Sequence, residues 1–306
     1  MHPTDIDMAC TRARTDPIGP PDERTGRLRF SVVIPAFNEA DFLGHCLDSL
    51  LGQDFRGHYE IIVVDNNSTD GTADVARARG VTVLHEPGAG VCAARQCGTA
   101  AARGEIVVST DADTLFSSDW LSRIDRAFLA DPARVAVAGP CRFVDPPWWG
   151  RVYAWSLFHV VSLIARITGR ILYVTATNIA FRKNAWPGYD TTATQGGDEL
   201  DLLRRLRAHG PVAFDLGNPT FTSSRRLARG LAYNIVITCL YYYLLGYAVN
   251  RLTGRRVVGM APAFRTRVVS QGWIRRRTRE VASISVGLVV CLVFGDLALR
   301  LVESAW

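Results

Sequence analysis

The feature that most constrains this chain is a rhythm. Five short, continuously apolar runs, "FSVVIP", "YEIIVVD", "VTVLHE", "EIVVSTD" and "RVAVAGP", recur between residues 30 and 140. Strands buried on both faces read as unbroken apolar runs, and parallel neighbours need a crossover, usually a helix. Helical stretches fall in those gaps, near Glu39–Leu51, Val91–Arg103 and Asp119–Ala130, with "STDGTADVARARG" as a turn and helix. The spacing therefore predicts an α/β fold: a mainly parallel sheet with helices on both faces. Residues 1–27 lack periodicity and read as a flexible tail.

Ligands of open parallel sheets bind beyond the carboxyl ends of the strands. Polar clusters stand at those ends: "PAFNEA", "DNNSTDGT" and "STDADT". In the last, Asp111 and Asp113 are two residues apart, a spacing that on a strand points both carboxylates to one face. Such a pair repels itself unless a cation is near, and its oxygens suit Mg²⁺ or Mn²⁺. "GAGVCA" (Gly88–Ala93) imitates a dinucleotide-binding fingerprint. However, His85, Glu86 and Pro87 separate it from its strand, and a further strand precedes Asp111, so a nicotinamide enzyme is rejected. "DNNSTDG" fails as a calcium loop because its sixth position is Asp70. Asp198, Glu199 and Asp201 open a helix behind Gly196-Gly197. Acids suit a first helical turn, and one of them is also placed to act as a general base.

Composition enters where the chain changes character. The net charge of +6 conceals twelve Arg against one acid between Arg225 and Glu280. Two apolar stretches flank most of these arginines, Leu231–Val249 with five Tyr and Val281–Leu299 with one charge, Asp296. Each is near the length a bilayer span needs. The positive-inside rule places the arginines in the cytoplasm, so one span near 281–302 is expected, with Leu231–Val249 interfacial or re-entrant. Trp148-Trp149 also suit a headgroup region. Seven cysteines without a CxxC pair argue against a disulfide framework or a zinc site, and for a reducing compartment.

Four blocks in order, "SVVIPAFNEADFLGHCLDSL", "EIIVVDNNSTDGTADVA", "GAGVCAARQCGTAAARGEIVVSTDADT" and "GGDELDLLRRLRAHG", resemble family 2 glycosyltransferases of the GT-A fold over about Arg29 to Arg226. The resemblance implies that Pro35, Phe37 and Glu39 line a nucleotide pocket. It implies that Asp65 hydrogen-bonds the base with Asn67 beside it, and that Arg95 lies near the nucleotide or diphosphate. Asp111 is implied near the ribose and donor sugar, Asp113 as ligand of Mg²⁺ or Mn²⁺, and Asp198 as catalytic base. Gly197 stands where the family often has Glu, in a Gly-Glu-Asp segment. No Gln-x-x-Arg-Trp pattern of processive members is present, which disfavours long-chain polysaccharide synthesis.

The expected organisation is a tail (1–27), a GT-A catalytic domain (28–226), a basic interfacial or re-entrant segment (227–280) and a transmembrane anchor (281–306). The expected function is an inverting, metal-dependent transfer from a nucleoside-diphosphate sugar to a lipid or lipid-linked acceptor at the cytoplasmic face of the plasma membrane. Arg225 and Arg226 would contact phosphate or acceptor. Nucleic acid is not an expected partner. Competing readings are a polyprenyl-phosphate glycosyltransferase, a nucleotidyltransferase and a non-enzymatic membrane scaffold.

Overall fold

The computed structural model describes residues 12–13, 16–19, 27–171, 173–191 and 198–234, with isolated positions beyond. The expected span at 281–302, most of the Leu231–Val249 stretch and Gly196-Gly197 lie outside the described residues. Among the described residues, no helix is long and apolar enough to cross a membrane.

Among the described residues, eleven strands and six α-helices follow one another. They are β1 (Arg12–Ala13), β2 (Phe30–Ala36), α1 (Ala40–Leu51), β3 (Tyr59–Asp65), α2 (Thr72–Arg77), β4 (Thr82–His85), α3 (Val91–Ala101), β5 (Ile106–Ser109), β6 (Thr114–Leu115), α4 (Trp120–Ala130), β7 (Ala136–Ala138), β8 (Cys141–Val144), α5 (Trp148–Thr168), β9 (Ile179–Arg182), α6 (Asp198–Arg207), β10 (Val212–Phe214) and β11 (Thr220–Ser223). Eight strands form one sheet in the order β1-β4-β3-β2-β5-β9-β7-β10, and β6-β11-β8 form a second. The pairs β4-β3, β3-β2, β2-β5 and β7-β10 are parallel, as expected. β9 enters antiparallel between β5 and β7. Within the expected tail, Arg12–Ala13 pair with Val83–Leu84, and Ile18 bridges Tyr59.

Alternate residues of the central strands feed two cores. Val32, Ile34, Ile61 and Val63 pack toward α1 and α4, while Val33, Ile62, Val64 and Val107 pack toward α3 and α6. Helix α1 buries Leu43, Cys46, Leu47 and Leu50, the i, i+3, i+4, i+7 stripe of an amphipathic helix. Helix α3 is built from small residues, so it lies close to the sheet. A Cβ on Gly98 would stand 2.5 Å from Val33 Cγ1 and 2.8 Å from Val64 Cγ2. Among the described cysteines, Cys46 and Cys141 are buried free thiols.

The sheet order reverses at β2. The chain runs from β2 outward through β3 and β4, then returns to place β5 on the other side of β2. That reversal opens a crevice at the strand ends. The β2–β3 ladder continues to Ala36–Asp65, but the β2–β5 ladder stops at Val33–Ser109. Val33 O accepts the Thr110 amide, so Pro35, two residues on, turns its nitrogen to the same side, beyond the last rung. Proline has no N–H to leave unpaired there.

Candidate active site

Three loops meet at this crevice. The β2 loop carries Phe37, Asn38 and Glu39, and the β3 loop carries Asn66 to Asp70. Their geometry is locked by amide side chains and by left-handed backbone at Asn38 (φ 55°) and Asn67 (φ 66°). Asparagine tolerates that conformation better than most residues. Asn38 Oδ1 accepts from the Thr69 amide at 2.7 Å. Asn67 Nδ2 donates to the carbonyls of Glu86 and Pro87 at 3.2 and 3.1 Å. Asn66 Nδ2 donates to Glu86 and Gly88 carbonyls, and Asn66 Oδ1 accepts from Gly90 at 2.8 Å. Asp65, at the end of β3, accepts from the Ser68 amide at 3.3 Å and lies 3.6 Å from His85 Nδ1.

The third loop holds the carboxylate pair. The expectation that Asp111 and Asp113 share a strand face needs correction. β5 ends at Ser109, and both acids lie in the connection between β5 and β6. Each is met by a different guanidinium. Buried Arg95 on α3 donates to Asp111 at 2.7 Å and to Ser109 Oγ at 3.2 Å. Asp113 accepts from Thr222 Oγ1 at 3.2 Å and lies 3.0 Å from Arg225 Nη2. Burial pushes the Asp113 carboxyl above the usual carboxylate range. Arg225 opposes that rise, and nearby Asp111 adds to it.

Arg225 arrives from a 3₁₀ turn, Ser224–Arg229, after β11. Its fork donates to both carboxylate oxygens of Glu39, at 2.9 and 2.6 Å, and it lies over the Phe42 ring at 4.8 Å. Burial works against its charge, but the Glu39 hydrogen bonds and Asp113 prevail, so its pKa is raised. Arg226 acts on Asp113 electrostatically. The crevice thus joins Glu39, Asp111, Asp113, Arg95 and Arg225. Pro35 and Phe37 border it, and Asp65 and Asn67 occupy the neighbouring strand end. Asp198 is the first residue of α6; its side chain lies outside the described residues. A separate cleft of about 440 Å³, between the end of α5 and β10, shares no lining residue with this site.

Sequence reasoning missed Thr222, Ser109 and Phe42. Thr222 sits on a four-residue strand, "TFTS", too short for its alternation to be read from sequence. Ser109 and Phe42 carried no signal, because only the tertiary fold brings Arg95 and Arg225 to them.

The donor set fits a hard divalent cation. Mg²⁺ and Mn²⁺ take oxygen ligands, commonly one or two carboxylates plus substrate phosphates. Asp113 and Asp111 offer that number. Among the described residues, no three His, Cys, Asp or Glu side chains converge into a cage.

Comparison with known proteins decides the family. Residues 31–186, half of the chain, match the model of glycosyl transferase family 2. The chain belongs to glycosyltransferase family 2. This family 2 chain is also 36% identical over 221 residues to an uncharacterized glycosyltransferase of Mycobacterium tuberculosis, covering 70% of this chain and 95% of that one. It is 34% identical over 100 residues to glycosyltransferase AglE of Haloferax volcanii, 30% of this chain and 33% of that one. The chain spans a third or less of the length of several such curated relatives. Among solved structures, it resembles mannosyltransferase PcManGT from Pyrobaculum calidifontis in complex with GDP-Man and Mn²⁺ (TM-score 0.57, 24% identity, 82% of this chain and 69% of that one). It also resembles S. aureus TarS 1-349 in complex with UDP (TM-score 0.52, 21% identity, 64% and 60%). Those structures share the fold.

Proposed function

We propose that this family 2 chain transfers a sugar from a nucleoside-diphosphate sugar to a lipid or lipid-linked acceptor hydroxyl, with inversion, at the cytoplasmic face of the plasma membrane. The observation that carries the reading is the Asp111–Asp113 connection at the β2/β5 switch point, each carboxylate facing its own guanidinium. A similar fold in complex with GDP-Man, and another in complex with UDP, support a nucleoside-diphosphate sugar as donor.

In this reading, Pro35, Phe37 and Glu39 border the nucleotide, and Asp65 hydrogen-bonds the base with Asn67 beside it. Arg95 keeps Asp111 aimed at the ribose and donor sugar. Asp113 would hold Mg²⁺ or Mn²⁺. Such a cation, when bound, neutralises charge on the departing diphosphate. Asp198 takes the proton of the acceptor hydroxyl. The acceptor oxygen bonds to the anomeric carbon as the bond to the diphosphate breaks, and one displacement inverts that carbon. Arg225 and Arg226 sit beside Asp113, suited to an acceptor phosphate.

Nucleoside diphosphate release tests this. The full chain, in mild detergent, is offered UDP-, GDP- and dTDP-sugars with Mn²⁺ or Mg²⁺ and a lipid extract. Release with one donor, abolished by EDTA and by Asp113→Ala, is the expected result. Absence of both release and nucleotide binding overturns the reading.

A further inference from the structure

Helix α5 is 21 residues long, about 30 Å at the usual rise per residue. One face is committed to the domain, burying Trp149, Ala154, Phe158 and Val161. The opposite face is exposed and apolar. Trp148, Val152, Trp155, Leu163 and Ile167 are each at least half exposed, with Ile167 at 74%. Their spacing of three, four or eight residues is that of a single helical face. His159 fills the position between Trp155 and Leu163 and stacks on the Trp155 ring at 4.1 Å. An apolar face this long is uncommon on a protein that meets only water, and such patches mark interaction surfaces.

The charges say what covers it. Arg151 and Arg166 are exposed on the helix at the borders of this face, and Arg170 is exposed just beyond its C-terminal end. No acid occurs between Pro146 and Tyr189. A second copy docked face to face would bring arginine toward arginine with no carboxylate on the helix to pair them. An anionic lipid surface pairs all three and accepts the apolar stripe. Tryptophan and leucine on one side with arginines at its borders is the composition of a helix lying in the headgroup region, buried roughly 5–10 Å deep.

We infer that α5 is a docking surface for an anionic bilayer, seated through Trp148, Trp155, Leu163 and Ile167 and steered by Arg151, Arg166 and Arg170. Its purpose rests on the lipid-acceptor reading. The start of α5 packs on the turn that carries Arg225: a Cβ on Gly150 would stand 2.5 Å from Leu227 Cδ1. Gly150 is on the domain-facing side of α5, so the Ser224–Arg229 turn lies behind the first turn of the helix, one helix diameter (~10 Å) from a bilayer seated on the opposite face.

The full chain is reconstituted in phosphatidylcholine vesicles with or without phosphatidylglycerol, and tryptophan emission is quenched by brominated acyl chains. The expected result is quenching in the natural chain that falls in the Trp148→Phe/Trp155→Phe variant. Arg151→Gln/Arg166→Gln/Arg170→Gln should lose the part that depends on phosphatidylglycerol. Equal quenching with and without the two tryptophans overturns the inference. So does a Trp155→Glu/Leu163→Glu variant that dissociates a dimer in detergent yet leaves quenching unchanged, for the face then belongs to a second copy. Sugar transfer to soluble acceptors alone, with the tryptophan-dependent quench intact, removes the lipid-acceptor reading and keeps the surface. Transfer to lipid without that quench removes the surface alone.

Discussion

Arg225 binds Glu39 through both arms of its guanidinium and lies 3.0 Å from Asp113, so one cation bridges the β2 loop and the β5–β6 connection. All three side chains are largely buried, which makes their charges dependent on one another. Arg225→Met keeps the stem over Phe42 and removes the charge. We expect it to destabilise the fold by about 2–4 kcal/mol, between the values for exposed and fully buried ion pairs, because two carboxylates lose their shared partner. Urea unfolding measures this. A midpoint unchanged from the natural chain would show that the bridge is decorative.

Asp113 and Asp198 should separate donor binding from turnover. Asp113→Asn is expected to lose the Mn²⁺-dependent part of nucleotide affinity, read by titration calorimetry with and without EDTA. Asp198→Asn should bind the donor normally and turn over roughly 10²–10⁴-fold more slowly, the usual worth of a general base. An Asp198→Asn enzyme with ordinary turnover would favour transfer directly to a phosphate, which needs no strong base.

Gly98 sets the distance between α3 and the sheet. Gly98→Val forces its side chain against Val33 and Val64, where even a Cβ is too close. Overpacking of this kind costs about 1–3 kcal/mol. A helix pushed off the sheet here carries Arg95, one turn earlier on α3, away from Asp111, so donor affinity should fall along with stability. A variant that loses stability with unaltered donor affinity would show that Arg95 does not depend on this contact.

Asp70 ties the β3 loop to the start of α1. Its carboxylate accepts from the Thr72 hydroxyl, the Thr72 amide at 3.0 Å and the Ala40 amide at 3.2 Å. Burial raises its pKa, but the hydrogen bonds outweigh burial and hold it below the ordinary 3.8. A depressed folded pKa gives stability that is present above the unfolded value and lost as pH falls through the folded one. Asp70→Asn should therefore cost about 1 kcal/mol at neutral pH, exposure limiting the effect. The difference from the natural chain should shrink below about pH 4, where the unfolded carboxyl gains its proton. Unfolding curves at pH 7 and pH 3 test this; a constant gap would refute it.

The central sheet was legible because every strand from β2 to β5 is buried on both faces and so reads as an uninterrupted apolar run. The strand-end acids were legible because loops at one edge of such a sheet collect polar residues. The second sheet was not. β6 has two residues, β8 and β11 four each, and four residues hold too little periodicity to announce a strand. That sheet delivers Thr222 and Arg225 to Asp113, so the partners of the buried acid stayed hidden while the acid itself was visible. The outward stripe of α5 was hidden for a different reason. Its sequence is apolar on both faces, and only packing separates the buried Phe158 from the exposed Trp155.

Pro35 gives the crevice a permanence that packing alone does not. Two sheet strands side by side tend to zip onward whenever both still offer donors and acceptors. Here the zipper lacks a tooth in the covalent chain itself, on the side facing the end of β5. Thermal motion can shift loops and rotate side chains, but it cannot supply a hydrogen to that nitrogen. The gap between the strands therefore needs no ligand, lid or crowding residue to keep it from sealing.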